Sequence, residues 1–195
     1  MKLFLNQGNI SQLLDLAKEH PRDLALFQLA LSTGLRISDV LALKIHDLQG
    51  PEDAIVRILR VKTKKTKRWV DRPLRDDCRN AIQNYLETRI DNNPYLFPSK
   101  SKKQQDSGLR AMHRMSAHRI FKKYLCQIFP YDMLRGASTH SLRRSVAKLI
   151  SQHAGRIEPA TMFLGHHSVA STAAYIDMNS HEERANHIVL EELDW

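Results

Sequence analysis

LALSTGLRISDVLAL, residues 29–43, contains two apolar segments separated by Thr33-Gly34, and Arg36 follows this break closely. A glycine in such a position is typical of a helix C-terminus, so the pattern predicts a buried helix that ends at Gly34. A second helical segment starts at Ile37. Because a guanidinium group keeps its charge in proteins, an arginine beside a core requires an anionic partner. Arg36 therefore indicates a site for an anion.

The composition is that of a globular protein with an excess of basic residues. The 195 residues suit one domain, and 42% hydrophobic with 26% charged residues is sufficient for a core. The 30 Lys and Arg outnumber the 21 Asp and Glu and give a net charge of +9. This excess favours nucleic acid as the partner, ahead of an acidic membrane surface.

Cysteine content and hydropathy predict a cytoplasmic location without a membrane partner. Cys78 and Cys126 form no Cys-x-x-Cys motif and no disulfide framework, which is typical of a reducing compartment. The N-terminal MKLFLNQGN has an apolar run too short for a signal peptide. The longest apolar run, residues 24–31, is too short to span a membrane.

Hydrophobic periodicity predicts a mostly α fold with one small antiparallel β-hairpin, an α+β class. The hairpin strands are expected at 54–63 and 67–71, around KTKKTK, and the polar residues 99–110 are expected to form an exposed loop. In the fourth predicted helix, Ile82, Tyr85, Leu86 and Ile90 form one apolar stripe. The predicted helices cover residues 10–19 (capped by Asn9 or Ser11), 22–34, 37–43, 76–90, 116–129 (capped by Ser116), 141–153, 159–165 and 168–178.

THSLRRSVAKLI, residues 139–150, places an arginine pair at a helix start. Leu142, Val146, Leu149 and Ile150 form its apolar stripe. Arg143 lies at the edge of this stripe, whereas Arg144 points to the opposite, solvent-exposed side. His140 precedes Arg143 by three residues, so both face the same region. From this segment alone, an ordinary surface arginine pair remains the alternative to an anion site.

FLGHHSVASTAAYID, residues 163–177, combines a helix end with histidines and a tyrosine. Gly165 ends a helix, His166 and His167 lie in the turn, and Tyr175 follows His166 by nine residues. A half-buried aromatic with a partnered hydroxyl is the alternative interpretation of Tyr175. No other Cys or His lies at ligand spacing, so we predict no metal site.

RVKTKKTKRW, residues 60–69, contains six basic residues at the predicted hairpin tip. Such a patch can reach a phosphate backbone, although a charge run is also compatible with a solvated face. One of its lysines is a candidate acid at a scissile phosphate.

The order of these motifs resembles the catalytic domain of the tyrosine recombinases, the phage integrase family. TGLRISD (33–39) resembles the first arginine box of the family, HSLRRS (140–145) the His-x-x-Arg box, and LGHHSVASTAAY (164–175) the histidine-to-tyrosine box. The resemblance covers roughly residues 8–178. It implies the fold of that catalytic domain over residues 1–179, with residues 180–195 as a C-terminal tail that docks on a neighbouring subunit.

The resemblance also implies roles for individual residues. Arg36 and Arg143 would clamp the scissile phosphate, with Asp39 supporting Arg36, and Lys62 would be the hairpin lysine. Because WVDRPL is longer than the usual run after the hairpin, Lys64 or Lys65 remains an alternative to Lys62. The full implied set comprises the catalytic residues Arg36, Lys62, His140, Arg143, His166 and Tyr175 and the DNA contacts Lys64, Lys65, Lys67, Arg68, Lys102 and Lys103, with Tyr175 as the nucleophile.

The implied activity is site-specific DNA recombination through a 3′-phosphotyrosyl intermediate, without metal, cofactor or ATP. The implied partners are double-stranded DNA, three further copies in a homo-tetramer assembled on two DNA sites, and accessory DNA-bending proteins. A topoisomerase-like nicking and closing activity, or a DNA-binding regulator that no longer cuts, are the alternatives. The N-terminal helical domain usual in the family is not present before the first box, which fits either a compact recombinase or a fragment.

Overall fold

The structure, a computed structural model, describes residues 3–100 and 108–176, and the chain divides into two compact units, Met1–Arg143 and Arg144–Trp195. Its described residues are mostly helical with one two-stranded antiparallel sheet, which confirms the predicted fold class. The elements are α1 (Gln7–Ala17), α2 (Pro21–Thr33), α3 (Ile37–Val40), β1 (Ile58–Lys62), β2 (Trp69–Pro73), α4 (Asp76–Glu87), α5 (Arg114–Leu125), α6 (Thr139–Ala154), α7 (Glu158–Leu164) and α8 (Val169–Ile176), with short 3-10 helices at Ile45–Asp47, Pro51–Asp53 and Tyr131–Gly136.

Helix α2 forms the centre of the first unit, as its continuous apolar pattern predicts. It packs most extensively against α4, and its Phe27 ring meets the Phe121 and Tyr124 rings of α5 edge-on, with centroids 6.0 and 5.2 Å apart. The predicted end at Gly34 is confirmed. Gly34 has φ 58°, a left-handed conformation that glycine adopts without steric cost, and its N–H donates to the Ala30 carbonyl.

A buried polar contact fixes α5 against α2. The Tyr124 hydroxyl donates to Oδ2 of Asp23 at 3.1 Å, and Oδ1 of Asp23 accepts from Nε of Arg22 at 2.7 Å. Burial, together with the Asp23 carboxylate, raises the pKa of the Tyr124 hydroxyl. Tyr124 therefore stays protonated and keeps its role as donor.

The strands differ from the predicted ranges 54–63 and 67–71, because β1 is shorter and β2 lies two residues later, at Trp69–Pro73. Strand β1 starts only at Ile58, because the preceding residues form a 3-10 helix and the Val56 N–H pairs with the Leu48 carbonyl. Strand β2 starts at Trp69, because the Thr63 N–H bonds the Arg68 carbonyl and closes the turn. The register places Lys62 opposite Trp69.

Two predicted helix caps are wrong, because local side chains offer an earlier start. Helix α1 begins at Gln7, where the Asn6 side chain accepts from the Asn9 N–H at 2.8 Å and the Asn9 side chain bonds back to the Asn6 N–H. Helix α5 begins at Arg114, with the His113 ring accepting from the Met115 N–H, rather than at a Ser116 cap. The capping box of α1 and the histidine cap of α5 each satisfy backbone N–H groups that the first turn of a helix leaves without a partner.

The apolar stripe predicted in α4 does not extend to Ile90. The helix ends at Glu87, and Ile90 is fully exposed. The Arg89 side chain donates to the carbonyls of Asn93 and Tyr95 at 2.7 and 2.8 Å, so it holds the chain in a non-helical course. Periodicity alone does not reveal this side-chain contact.

The second unit has a small core of its own. Ala147, Ala160, Leu164 and Ile176 are buried together, and Tyr175 packs against them. No helix of the two described ranges is both long and apolar enough to cross a membrane. The predicted tail and residues 101–107 of the predicted loop lie outside the described residues. The ends of that loop are joined by a bond of 2.9 Å from the Ser99 N–H to the Arg110 carbonyl.

Candidate active site

The turn after α2 positions Arg36. Gly34 redirects the chain, and Arg36 is the extended N-cap residue of α3, with φ −65° and ψ 144°. Its side chain is half-buried. The arginine thus lies at the boundary between the apolar core and solvent, as its position after the glycine predicted.

Arg143 is fixed to the same turn. It lies in the first turns of α6 with only 5% of its surface exposed, and its Nη1 donates to the Gly34 carbonyl. That carbonyl belongs to the residue two positions before Arg36, so Arg143 is held beside the turn that leads to Arg36. Arg144 is half-buried rather than fully solvent-exposed, and His140 is exposed.

The Asp39 side chain bonds the hairpin, whereas its N–H donates to the Arg36 carbonyl at 2.8 Å. Its carboxylate is 3% exposed, and Oδ1 accepts from the Lys64 N–H at 2.9 Å. Among the residues that the structure describes, no ion pair joins Asp39 to Arg36, and Oδ2 of Asp39 is buried without a hydrogen-bond partner. The Asp39 carboxylate thus links α3 to the hairpin turn, and its support of Arg36 stays a prediction.

The hairpin lysines differ in their surroundings. Lys62, at the end of β1, and Lys64, in the turn, line one groove, whereas Lys65, like Lys67 and Arg68, is exposed around the turn. Thr63 between the two groove lysines is buried, and its hydroxyl lies 2.6 Å from that of Thr66. The other charged and aromatic residues of this groove are Asp39, Asp47, Arg60 and Trp69.

In the second unit, Gly165 and Thr172 position His166 beside Tyr175. Gly165 ends α7 with φ 64°. Nδ1 of His166 lies 3.1 Å from the hydroxyl of Thr172, which itself donates to the Ser168 carbonyl at 3.5 Å. This contact with the Thr172 hydroxyl fixes the orientation of the His166 ring. The rings of His166 and Tyr175 meet edge-on, with centroids 5.4 Å apart.

Sequence reasoning missed several groups that hold these side chains. The fully buried Thr172 lies three residues before Tyr175, and this helical spacing was the available signal. The Gly34 carbonyl and the Lys64 N–H are backbone groups, so no residue pattern identifies them. The predicted DNA contacts Lys102 and Lys103 lie outside the described residues.

A second basic groove was also not predicted. It lies beside the ends of the 99–110 segment, and its basic lining residues are Arg22, Lys100, His113 and Arg119. In the part of the chain that the structure describes, no three His, Cys, Asp or Glu side chains form a group that could hold a metal ion.

The chain is similar to known recombinases over most of its length. The family model described as phage integrase family matches residues 4–182. The tyrosine recombinase XerA of Pyrococcus horikoshii is 27% identical over 173 residues, which cover 88% of this chain and 55% of that protein. A tyrosine recombinase of Pseudothermotoga lettingae is 28% identical over 184 residues, or 92% of this chain and 58% of that protein. The chain thus spans slightly more than half the length of these relatives.

Two solved structures show the shared fold. The crystal structure of XerA recombinase superposes with a TM-score of 0.73 and 21% identity, covering 100% of this chain and 67% of that chain. The XerH site-specific recombinase, in a post-cleavage complex with a palindromic difH substrate, gives a TM-score of 0.71 and 18% identity over 97% of this chain and 53% of that chain.

Proposed function

The chain belongs to the phage integrase family, and from this premise we propose that it is a site-specific DNA recombinase. It cleaves and rejoins DNA through a 3′-phosphotyrosyl intermediate. The observation that carries the proposal is the contact of Tyr175 with His166, whose Nδ1 is held by Thr172. A protein that only binds DNA has no need of a tyrosine held against an oriented imidazole, so this contact favours an enzyme over a regulator.

Cleavage exchanges one phosphoester bond for another. The Tyr175 hydroxyl oxygen attacks the phosphorus, its proton goes to Nε2 of His166, and the bond from phosphorus to the 5′ oxygen breaks. The 5′ oxygen leaves with a proton from a general acid. The phosphorus keeps its bond to the 3′ oxygen and is now also bonded to the tyrosine. Because the number of phosphoester bonds is conserved, rejoining by a 5′ hydroxyl needs no ATP.

The arginines stabilise the negative charge that develops on the nonbridging oxygens. Donors held in place before the reaction act more strongly than donors that must reorganise. The contact of Arg143 with the Gly34 carbonyl supports such preorganisation, because it fixes this guanidinium beside the turn that leads to Arg36. In this proposal His140 adds an imidazole donor to the same oxygens.

The general acid is a hairpin lysine, and Lys62 is our assignment with Lys64 as the alternative. A lysine suits this role because its ammonium group carries protons that it can give to the leaving oxygen. Both lysines line the groove that contains Asp39, and the Asp39 carboxylate accepts from the Lys64 N–H. Lys65 is a weaker alternative, because it lies exposed at the turn.

Double-stranded DNA is the proposed substrate, and we place the protein in the cytoplasm, where that substrate is found. The net charge of +9 and the basic hairpin suit phosphate contacts. The proposal also includes assembly as a homo-tetramer on two DNA sites, with residues 180–195 docked on a neighbouring subunit. Residues 1–179 form the catalytic domain, and accessory DNA-bending proteins are further partners.

A test of activity starts from the DNA that flanks the gene, because inverted repeats there are the expected sites. Supercoiled plasmid that carries this DNA is incubated with the protein, denatured, and examined for DNA linked covalently to protein. Adducts and recombined plasmid support the proposal. Tight binding without any adduct instead supports a DNA-binding regulator, and relaxation of the plasmid without recombination supports a topoisomerase-like activity.

A further inference from the structure

Trp69 exposes an aromatic ring where the hairpin fold does not require one. Although tryptophan is among the most buried residues on average, 60% of the Trp69 surface is exposed, at the start of β2. The Arg60 guanidinium lies over this ring, 5.6 Å from its centroid. An exposed ring flanked by cations is a platform on which a nucleobase can stack.

The register of the hairpin places this ring among basic side chains on the outer face. Lys62 lies directly opposite Trp69, and Arg60 lies opposite Asp71, so these four side chains share one face. Leu59, on the other face, is completely buried. Nε of Arg60 also lies 3.8 Å from Oδ1 of Asp71, which keeps the guanidinium near the ring.

The charge of the hairpin identifies the kind of partner. Residues 57–68 contain seven basic residues and no acidic residue. An apolar ring within such a segment suits a nucleic acid, which offers phosphates to the cations and a base to the ring. An apolar protein surface would have to desolvate the surrounding charges.

We propose that Trp69 stacks on the base of the nucleotide that carries the leaving 5′ oxygen. This inference rests on the proposed function. Trp69 lines the same groove as Lys62 and Lys64, so it lies beside the general acid whichever of the two lysines protonates that oxygen. The base of that same nucleotide is therefore the one that we assign to the indole.

The contact has a consequence for strand exchange. Once the phosphotyrosyl link has formed, only base pairing and protein contacts hold the strand that ends in the 5′ hydroxyl. A base stacked on Trp69 keeps this strand in place, slows its departure, and favours rejoining of the original ends. Trp69 is a positioning residue for the leaving strand, and Arg60 steadies its ring.

The test measures the release of the leaving strand. The probe is a duplex that carries the cleavage site identified in the plasmid assay, with a nick that makes the 5′-hydroxyl fragment short and 2-aminopurine as the first base of that fragment. Stacking quenches 2-aminopurine, so fluorescence rises when the fragment leaves. Trp69→Leu should accelerate release by about 5- to 150-fold, the range that corresponds to loss of one base stack on an aromatic ring. Trp69→Phe should lie between Trp69→Leu and the wild type.

Two matched variants separate stacking from other effects. Tyr131→Leu removes another exposed aromatic of the same unit, which lies in a 3-10 helix rather than in the hairpin, and should leave the release rate unchanged. Arg60→Ala removes the cation but keeps the ring, and should accelerate release less than Trp69→Leu does. Equal rates for Arg60→Ala and Trp69→Leu would overturn the proposal, because Trp69 would then serve only to hold Arg60.

A measurement on the unaltered protein covers the case in which Trp69 variants do not fold. With 5-iodouracil as the first base of the fragment, long-wavelength irradiation should cross-link the DNA to the peptide that contains Trp69. Cross-links confined to other peptides, or equal release by wild type and Trp69→Leu, contradict the stacking contact. If the wild type forms no adduct on the unlabelled duplex, it is the proposed function that fails instead.

Discussion

The Lys64 N–H donates a hydrogen bond of 2.9 Å to Oδ1 of Asp39, a carboxylate buried in α3. Asp39 lies three residues after Arg36, so the helix that begins after the arginine also anchors the turn of the basic hairpin. The contact is made by backbone, so it fixes the course of the turn while the Lys64 side chain lines the groove. Rigid support of this kind is what an active-site lysine requires.

Asp39→Ala is expected to slow cleavage by about 10- to 100-fold, since loss of a hydrogen bond to a charged group costs ~1.5–3 kcal/mol. Single-turnover rates of covalent adduct formation at saturating DNA measure this effect. Asp39→Asn keeps an acceptor oxygen and should recover part of the rate. Asp47→Ala removes another carboxylate from the same groove and is the control. A weaker affinity for DNA with an unchanged cleavage rate would show that Asp39 acts only through binding.

The general acid can be identified with a substrate in which sulfur replaces the bridging 5′ oxygen. Sulfur departs without a proton, so loss of the acid does not slow its cleavage. Lys62→Ala should be ~10²–10⁴-fold slower on normal DNA and close to wild type on the sulfur substrate. If the sulfur substrate restores the cleavage rate of Lys64→Ala but not that of Lys62→Ala, the general acid is Lys64. A lysine that only contacts phosphate gives the same defect on both substrates. Lys65→Ala is tested in the same way, as the weaker alternative.

Arg143→Ala should reduce the cleavage rate far more than Arg144→Ala. Arg143 is buried and fixed to the Gly34 carbonyl, and removal of a preorganised donor to a developing oxyanion typically costs about 10²–10³-fold in rate. Arg144, the next residue on α6, is half-buried and provides the matched control. Rates of adduct formation on the nicked duplex compare the two. Similar small losses for both variants are incompatible with the assigned role of Arg143.

Thr172→Val removes the hydroxyl that fixes Nδ1 of His166 and keeps the shape of the side chain. Loss of one neutral hydrogen bond costs ~0.5–1.5 kcal/mol, so we expect cleavage to slow by about 2- to 12-fold. Thr161→Val removes a hydroxyl that bonds the Ile157 carbonyl, and serves as the control. Equal cleavage rates for Thr172→Val and Thr161→Val would contradict this role of Thr172.

Glycine positions and apolar periodicity were sufficient to predict the elements that carry the candidate residues. Gly34 and Gly165 end helices where predicted, because both adopt the left-handed conformation that few other residues tolerate. The hairpin, predicted between residues 54 and 71, and the helix that contains Arg143 are also present. These features depend on local sequence, so local sequence reveals them.

Contacts between distant segments could not be predicted. From the sequence, Arg36 is the nearer candidate partner of the Asp39 carboxylate, because it lies only three residues away. Lys64 lies 25 residues away, and only the fold brings its N–H to this carboxylate. The same limit applies to Arg143 and the Gly34 carbonyl, which are 109 residues apart. Ile90 is a case in which the local pattern was misleading. Its spacing predicted a helical position, but the contacts of the Arg89 side chain hold the chain in a non-helical course.

The most direct test of the central claim is covalent capture by Tyr175. A nicked duplex with the identified site, labelled at the 5′ end of the cleaved strand, is incubated with wild type and with Tyr175→Phe, then denatured. The account predicts labelled DNA on the wild-type protein, mapped to the peptide that contains Tyr175, and none on Tyr175→Phe, although both bind the duplex with similar affinity. Adducts formed by Tyr175→Phe, or mapped to another residue, would contradict the account.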